Sequence, residues 1–311
     1  MDGQAMDAHE FAERIELFHG RLNPASAHVY AQLTGPEASG GYALSGFIRG
    51  PQCLFSTTLP ATLKFTDAGP GESLLANVIV PDPCFWTPTV PALYEVQLQL
   101  RQGDKVVAEA QRNFGLQAIA PRGRFFYEQG KRFVLRGVAA TNAFDLTAAN
   151  SPDLLPWRDA GAALLAVNPT NALCEEASRV GVLLVACISA KQNLVEEVRR
   201  LAQFAAVTLI AIRGAPTIDK TLRIAAKNTM LARWLKATDD ETLASDADAL
   251  VVEVRAEAVT AGAVLTALNL PVIVWQQGAE HRPQELPAAR AAADALQAAL
   301  ASRGDFAGYF V

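Results

Sequence analysis

Cysteine, histidine, aromatic residues and basic runs are all sparse in this chain, and each scarcity closes off a class of function. The four cysteines, Cys53, Cys84, Cys174 and Cys187, include no Cys-x-x-Cys spacing, and each sits among apolar residues. That pattern predicts buried, reduced thiols rather than a zinc site or a disulfide framework. Of the four histidines, His9, His19 and His28 lie near the start and His281 stands alone far downstream, so no cluster with metal-ligand spacing arises, and neither a metal nor a cofactor is expected. No run of Lys or Arg interrupts a balance of 27 basic against 32 acidic residues and a formal charge of −5, which gives no footprint for nucleic acid. The longest apolar runs, such as Val182 to Cys187, are far too short to cross a bilayer. The opening segment MDGQAMDAHEFAERIELF carries acidic residues where a secretion signal has a basic start. The chain therefore reads as soluble, unexported and cytoplasmic, with no membrane partner. Glycine-rich phosphate loops and nucleophile elbows are also missing, and Gly40-Gly41 reads as a turn.

What is present is apolar periodicity over a length that suits two domains, each able to bury a core. Up to about Gln117 the period is two, which predicts antiparallel strands at His28 to Leu33, Tyr42 to Ile48, Ala61 to Phe65, Ser73 to Val80, Leu93 to Leu100 and Lys105 to Phe114. The Gly-Asp step in RQGDK suits a tight hairpin turn, and Pro81, Pro83, Pro88 and Pro91 around Trp86 would stop ladder pairing. Trp86 itself reads as a core residue. Short strands with Gly and Pro breaks predict an immunoglobulin-like β-sandwich over residues 1–120.

After Arg122 the pattern changes to short apolar strands followed by alanine-rich or polar helical segments, which is the signature of parallel β/α architecture. Eight strands are expected at Phe133 to Val138, Ala163 to Val167, Val182 to Cys187, Val207 to Ile212, Thr229 to Leu235, Leu250 to Val254, Val272 to Gln276 and Ala307 to Val311, with helices between them near Asp153 to Ala160, Asn171 to Val180, Asn193 to Phe204, Thr217 to Lys227, Asp239 to Ser245, Ala256 to Leu268 and Gln284 to Ser302. Residues 121–311 thus predict a (β/α)8 TIM barrel. They are fewer than the typical figure of about 250, so the loops must be short and the mouth shallow.

The segment from Phe85 to Val138, FWTPTVPALYEVQLQLRQGDKVVAEAQRNFGLQAIAPRGRFFYEQGKRFVLRGV, resembles the junction between sandwich and barrel in glycoside hydrolase family 2. The likeness runs from about Ala61 to Val311. It implies a sugar-hydrolysing barrel, yet the residues that such chemistry uses are replaced. Where the family follows its first strand with a His-Glu pair, this chain has Ala139, Ala140, Thr141 and Asn142; after the second strand Asn168 takes the place of an Arg; the third strand ends in Cys187 and Ile188 rather than an Asp-Glu pair. FAAVTLIAIRGAP resembles the phrase that ends in the family's acid/base Glu, and the matching residue is Ala215; LPVIVWQQGA resembles the phrase that carries the nucleophilic Glu, and the matching residue is Gln276. An amide keeps the shape of the nucleophile without supplying an anionic oxygen, and retaining hydrolysis needs two carboxyl groups about 5–5.5 Å apart. The family also continues past the eighth strand, whereas this chain stops at Val311, which implies that no eighth helix forms and that an apolar strip on strands one and eight lies open to a partner subunit, a second copy or the N-terminal segment.

The implied function is therefore a non-catalytic relative of the glycosidases, acting as a carbohydrate-binding or assembly module. The residues expected at the rim are Asn142, Asn168, Arg213, Trp234, Glu253, Gln276 and His281. The alternative is an active glycosidase using displaced carboxylates such as Glu253 and Glu280, with Asp145 as a further candidate. Against it, Glu253 is expected to pair with Arg213 or Arg255, and Glu280 and His281 to be solvated. Strand alternation places Trp275 and Gln276 on opposite faces, so if Gln276 keeps the family orientation, Trp275 packs outward. Trp234 has a better prospect than Trp275 of offering a ring face to a sugar, although core packing is the stronger expectation for it.

Overall fold

The structure, a computed structural model, describes residues 7–35, 41–69, 71–140, 153–214, 217–236, 246–255, 269–277 and 286–311. The chain divides into two compact units, Met1–Gln117 and Ala118–Val311.

The first unit is a sandwich-like antiparallel sheet of seven strands in the order β1-β2-β5-β4-β3-β6-β7, formed by Ile15–Asn23, Ser26–Leu33, Tyr42–Gln52, Ala61–Asp67, Leu74–Pro81, Leu93–Gln102 and Lys105–Phe114 for β1 to β7. β4 pairs with β3 on one side and β5 on the other, so it joins the two halves. The strands alternate as the sequence predicts. Ala27, Val29, Ala31 and Leu33 of β2 are buried together with Leu74, Ala76, Val78 and Val80 of β5 and Tyr94, Val96, Leu98 and Leu100 of β6, giving one continuous apolar core. The expected tight turn is a two-residue hairpin, Gly103-Asp104, between paired Gln102 and Lys105, with Gly103 at φ 58°. Trp86 is fully buried and its backbone N–H donates to the carbonyl of Leu116 at 2.9 Å. A short helix α1, Ala8–Arg14, precedes β1 and packs on β7 through Phe11; the Asp7 carboxylate caps it by accepting from Glu10 N at 2.7 Å.

The second unit opens with a three-stranded antiparallel sheet of β8 (Ile119–Arg122), β9 (Phe125–Glu128) and β10 (Lys131–Phe133). Eight parallel strands then close into a barrel: β11 (Leu135–Ala140), β12 (Ala163–Val167), β13 (Leu184–Ser189), β14 (Val207–Arg213), β15 (Met230–Lys236), β16 (Ala249–Arg255), β17 (Val272–Gln277) and β18 (Gly308–Phe310). Closure comes from β18, which pairs with both β17 and β11. Phe133, expected to begin the first barrel strand, instead ends β10.

The described helices are α2 (Leu155–Asp159), α3 (Asn171–Val180), α4 (Leu194–Leu201), α5 (Lys220–Ala226) and α6 (Leu286–Leu300). Local signals set their ends: the Thr170 hydroxyl accepts from Leu173 N at 3.2 Å at the start of α3, and Gly181, at φ 85°, closes it. The predicted helices at Asp239 to Ser245 and Ala256 to Leu268 lie outside the described residues. α6 packs on β11 and β18, with Arg136 Nε donating to Gln297 Oε1 at 2.8 Å, so the chain's own helix lies along the strip that the sequence left bare.

Candidate functional site

Register fixes which side chains enter the barrel. Parallel partners point to the same face, and the partner series runs Ser189, Arg213 on β13 and β14, then Lys236, Glu253 and Trp275 on β15 to β17, and finally Phe310 and Gly137 on β18 and β11. Trp234, two residues before Lys236, shares that face. Arg136, on the opposite face, bonds the outer helix α6, so this series faces the lumen. Gly137 shows how tightly the lumen is filled: a Cβ there would lie 2.2 Å from the Ala163 carbonyl oxygen and 2.4 Å from the Phe310 ring.

Near the C-terminal ends of β14 to β17, the end where barrels of this kind build their sites, four of these side chains form one cluster. Trp234 Nε1 donates to Glu253 Oε2 at 3.1 Å, and Arg213 Nη1 lies 3.8 Å from the same oxygen, within ion-pair reach. The Arg213 guanidinium also stacks over the Trp234 ring, 4.8 Å from its centroid. Trp275 stands against Trp234 with centroids 5.6 Å apart. Trp234, Glu253 and Trp275 are 7%, 9% and 5% exposed, whereas Arg213 is 37% exposed at its side chain and reaches toward solvent. Cys187 lies deeper. Burial pushes its thiol far up, and the Glu253 carboxylate, three strands away, adds to the shift across the lumen.

Several expectations change here. Trp234 does not offer an open ring face, since Trp275 and Arg213 occupy its surroundings and the indole is buried. The orientation of the β17 pair is reversed: Trp275 takes the lumen and Gln276, half-buried, stands on the outer face, because the register pairs Trp275 with both Glu253 and Phe310. Its neighbour Gln277, which the sequence reading passed over, is exposed on the lumen side at the strand end. Glu253 does pair with Arg213, as expected. Asn168 is exposed just past β12 at φ 50°, a left-handed conformation that Asn tolerates, and its N–H donates to the Cys187 carbonyl at 2.8 Å. Asn142, Asp145, Ala215, Glu280 and His281 lie outside the described residues. Cys53 and Cys84 are half-buried rather than enclosed, because both lie in turn segments at strand ends; Cys174 and Cys187 are buried. Among the described residues no group of three or more His, Cys, Asp or Glu side chains is arranged to hold a metal ion. Among those residues, too, no helix is long and apolar enough to cross a membrane.

In chemical terms, the lumen face of the described strands carries a single carboxylate, Glu253, and it is held by an indole N–H and a guanidinium. The fold is glycoside hydrolase family 2-like, and residues 53–117 match the family model for glycosyl hydrolases family 2. Its fold is similar to that of Bacteroides uniformis β-glucuronidase 2 covalently bound to cyclophellitol-6-carboxylate aziridine, at a TM-score of 0.61 and 14% identity over 86% of this chain and 40% of that one. It is also similar to Bifidobacterium dentium β-glucuronidase complexed with coumarin-3-O-glucuronide, at a TM-score of 0.62 and 15% identity over 95% of this chain and 59% of that one. A glycosyl hydrolase family 2 member from Bacteroides cellulosilyticus gives a TM-score of 0.64 and 15% identity over 96% and 45% of the two chains. The chain thus spans between 40% and 59% of the length of these proteins. A search of curated protein sequences found no match.

Proposed function

We propose that this protein is a non-catalytic glycoside-hydrolase-like protein that serves as a carbohydrate-binding or assembly module. The observation that carries the reading is the state of Glu253. It is the one lumen carboxylate of the described strands, it is nearly buried, and its Oε2 is occupied by Trp234 and Arg213. Retaining glycoside hydrolysis requires two carboxyl groups about 5–5.5 Å apart flanking the scissile bond, one of them free to attack. The two positions that resemble the family's acid/base and nucleophile are Ala215 and Gln276, and neither side chain can donate a proton as an acid or attack as an anion.

The exposed polar groups at the strand ends support weak binding of a small polyol. Asn168, Gln277 and the outer part of Arg213 offer amide and guanidinium donors in the region where a sugar would lie. In the assembly form of the proposal, a second copy or another subunit supplies the occupant of the mouth. An active glycosidase would instead have to recruit Glu253 together with Glu280. Chromogenic glucuronides, galactosides and glucosides, assayed beside calorimetric titration with the free monosaccharides, test the proposal. It predicts no turnover, with millimolar-range binding or a stable oligomer in solution. Turnover lost on Glu253→Gln or Glu280→Gln would overturn it.

A further inference from the structure

Where β4, β3, β6 and β7 lie side by side, every second residue faces away from the apolar core, since Ile48, Leu98 and Ala110 at intervening positions are buried. Register sets the outward residues in rows. Lys64, Phe47, Gln97 and Gln111 form one row across the four strands, with Arg49 and Glu95 beside it on one side and Ser45, Gln99 and Glu109 on the other. At about 4.8 Å between strands and about 6.8 Å between alternate residues, the rows make a plate about 14 Å across in both directions. Phe47 stands in it 49% exposed, the one large apolar side chain of these rows. Its neighbours are polar groups that hold one another in place. Gln97 Nε2 and Gln111 Nε2 donate to the same Glu95 oxygen, at 2.6 and 3.0 Å. Gln99 Nε2 donates to Glu109 Oε1 at 2.7 Å, and its side-chain carbonyl accepts from Arg101 Nη1 at 3.3 Å. A primary amide has two N–H donors and a carbonyl oxygen, so after these bonds Gln97 and Gln111 each retain a donor and an acceptor for a ligand, and Glu95 its second oxygen.

We propose that this plate is a binding site for uncharged polysaccharide chains, with Phe47 stacking on the C–H face of a sugar ring and Gln97, Gln111 and Glu95 bonding its hydroxyls. The proposal rests on the carbohydrate-binding reading for the class of ligand alone, because no residue of the barrel takes part. The chemistry of the plate selects this occupant. A hydroxyl both donates and accepts, which alternating amide and carboxylate groups match. Side chains already held by their neighbours lose little rotamer freedom on binding. The charges nearly cancel, with Arg49, Lys64 and Arg101 against Glu95 and Glu109, so a polyanion gains little attraction. A protein partner fits poorly: the centres of protein interfaces are rich in aromatic and apolar side chains and poor in Glu and Lys, whereas here a single Phe stands among polar groups.

The test is native affinity electrophoresis of the full chain in gels that contain hydroxyethyl cellulose, arabinoxylan, galactomannan or, as a polyanion, alginate. The expected result is retardation by at least one of the three neutral polymers and none by alginate. Phe47→Ala, checked for an unchanged melting temperature, should weaken that retardation about tenfold, as truncation of a central aromatic anchor does. Phe47→Tyr should preserve it, Gln97→Ala should reduce it, and Ile79→Ala, which removes an exposed apolar side chain of β5, should leave it unchanged. Retardation that survives both Phe47→Ala and Gln97→Ala would locate the sugar elsewhere on the chain, overturning this site while leaving the carbohydrate-binding reading in place. Free migration in every gel, or retardation by alginate alone, would also overturn it, and the monosaccharide titration then judges the barrel separately.

Discussion

Trp234 donates its indole N–H to Glu253 at 3.1 Å inside the barrel, turning what would be a lone lumen carboxylate into a hydrogen-bonded structural element. Trp234→Phe removes the donor together with part of the ring that packs against Trp275 and Arg213. A buried group that loses its partner costs about 1–3 kcal/mol, more for a charged one. Urea unfolding of the variant should show a loss in that range, and Glu253→Gln, which removes the charge, should cost less than Trp234→Phe.

The Asp246 carboxyl is held below its ordinary value of 3.8, first by its hydrogen bond to Arg233 and then by the N–H of Ile218. Arg233 Nη2 meets Asp246 Oδ2 at 2.6 Å, with the Arg233 side chain 4% exposed. A depressed folded pKa means that the contribution is complete above the unfolded value and is lost as pH falls through the folded one. Stability measured from neutral pH down to about pH 3 should therefore fall more steeply for the wild type than for Asp246→Asn, which should start lower at neutral pH. Parallel curves would show that the pair carries no such linkage.

Thiol reactivity should divide along the same line as burial. Cys174 is pushed up to about 12 by burial, and Cys187 further by burial with Glu253 adding to it. Only the thiolate reacts. Iodoacetamide at mildly alkaline pH should label Cys53 and Cys84 in the native protein and all four cysteines in denaturant, as read by peptide mass.

Gly137→Ala should be among the most disruptive single substitutions. The added carbon would press on the Ala163 carbonyl oxygen, which belongs to backbone and cannot rotate away, as well as on Phe310. Overpacking of this kind costs about 1–3 kcal/mol and occasionally more. Thermal denaturation should show the barrel melting well below the wild type, and restoration by Phe310→Leu would identify the ring as part of the clash.

The strands that were legible in the sequence are those whose apolar runs are bounded by turn residues. β12 matches its expected span residue for residue, as does α3, whose Thr170 cap and Gly181 stop are visible in the letters. The β8–β10 sheet was not legible, since segments as short as Lys131–Phe133 carry no measurable period and blend into the strand that follows. β1 was missed because ELFHGRLN mixes charged and apolar residues and only tertiary packing resolves it. At the site, an Arg partner for Glu253 followed from the basic residues at the ends of β14 and β16, with Arg213, across β15, one of the two candidates. The exchange of Trp275 for Gln276 at the lumen did not, because alternation gives two phases, and the choice between them is made by partners on β16 and β18 that a single segment does not reveal.

Covalent capture tests the proposed absence of glycosidase chemistry most directly. The full chain would be incubated with cyclophellitol aziridines of gluco, galacto and glucurono configuration, the last being the type covalently bound in the Bacteroides uniformis structure, and then weighed intact by mass spectrometry. The expected result is an unmodified mass with every probe. A stoichiometric adduct mapped to a carboxylate of the barrel would contradict the account and identify the nucleophile.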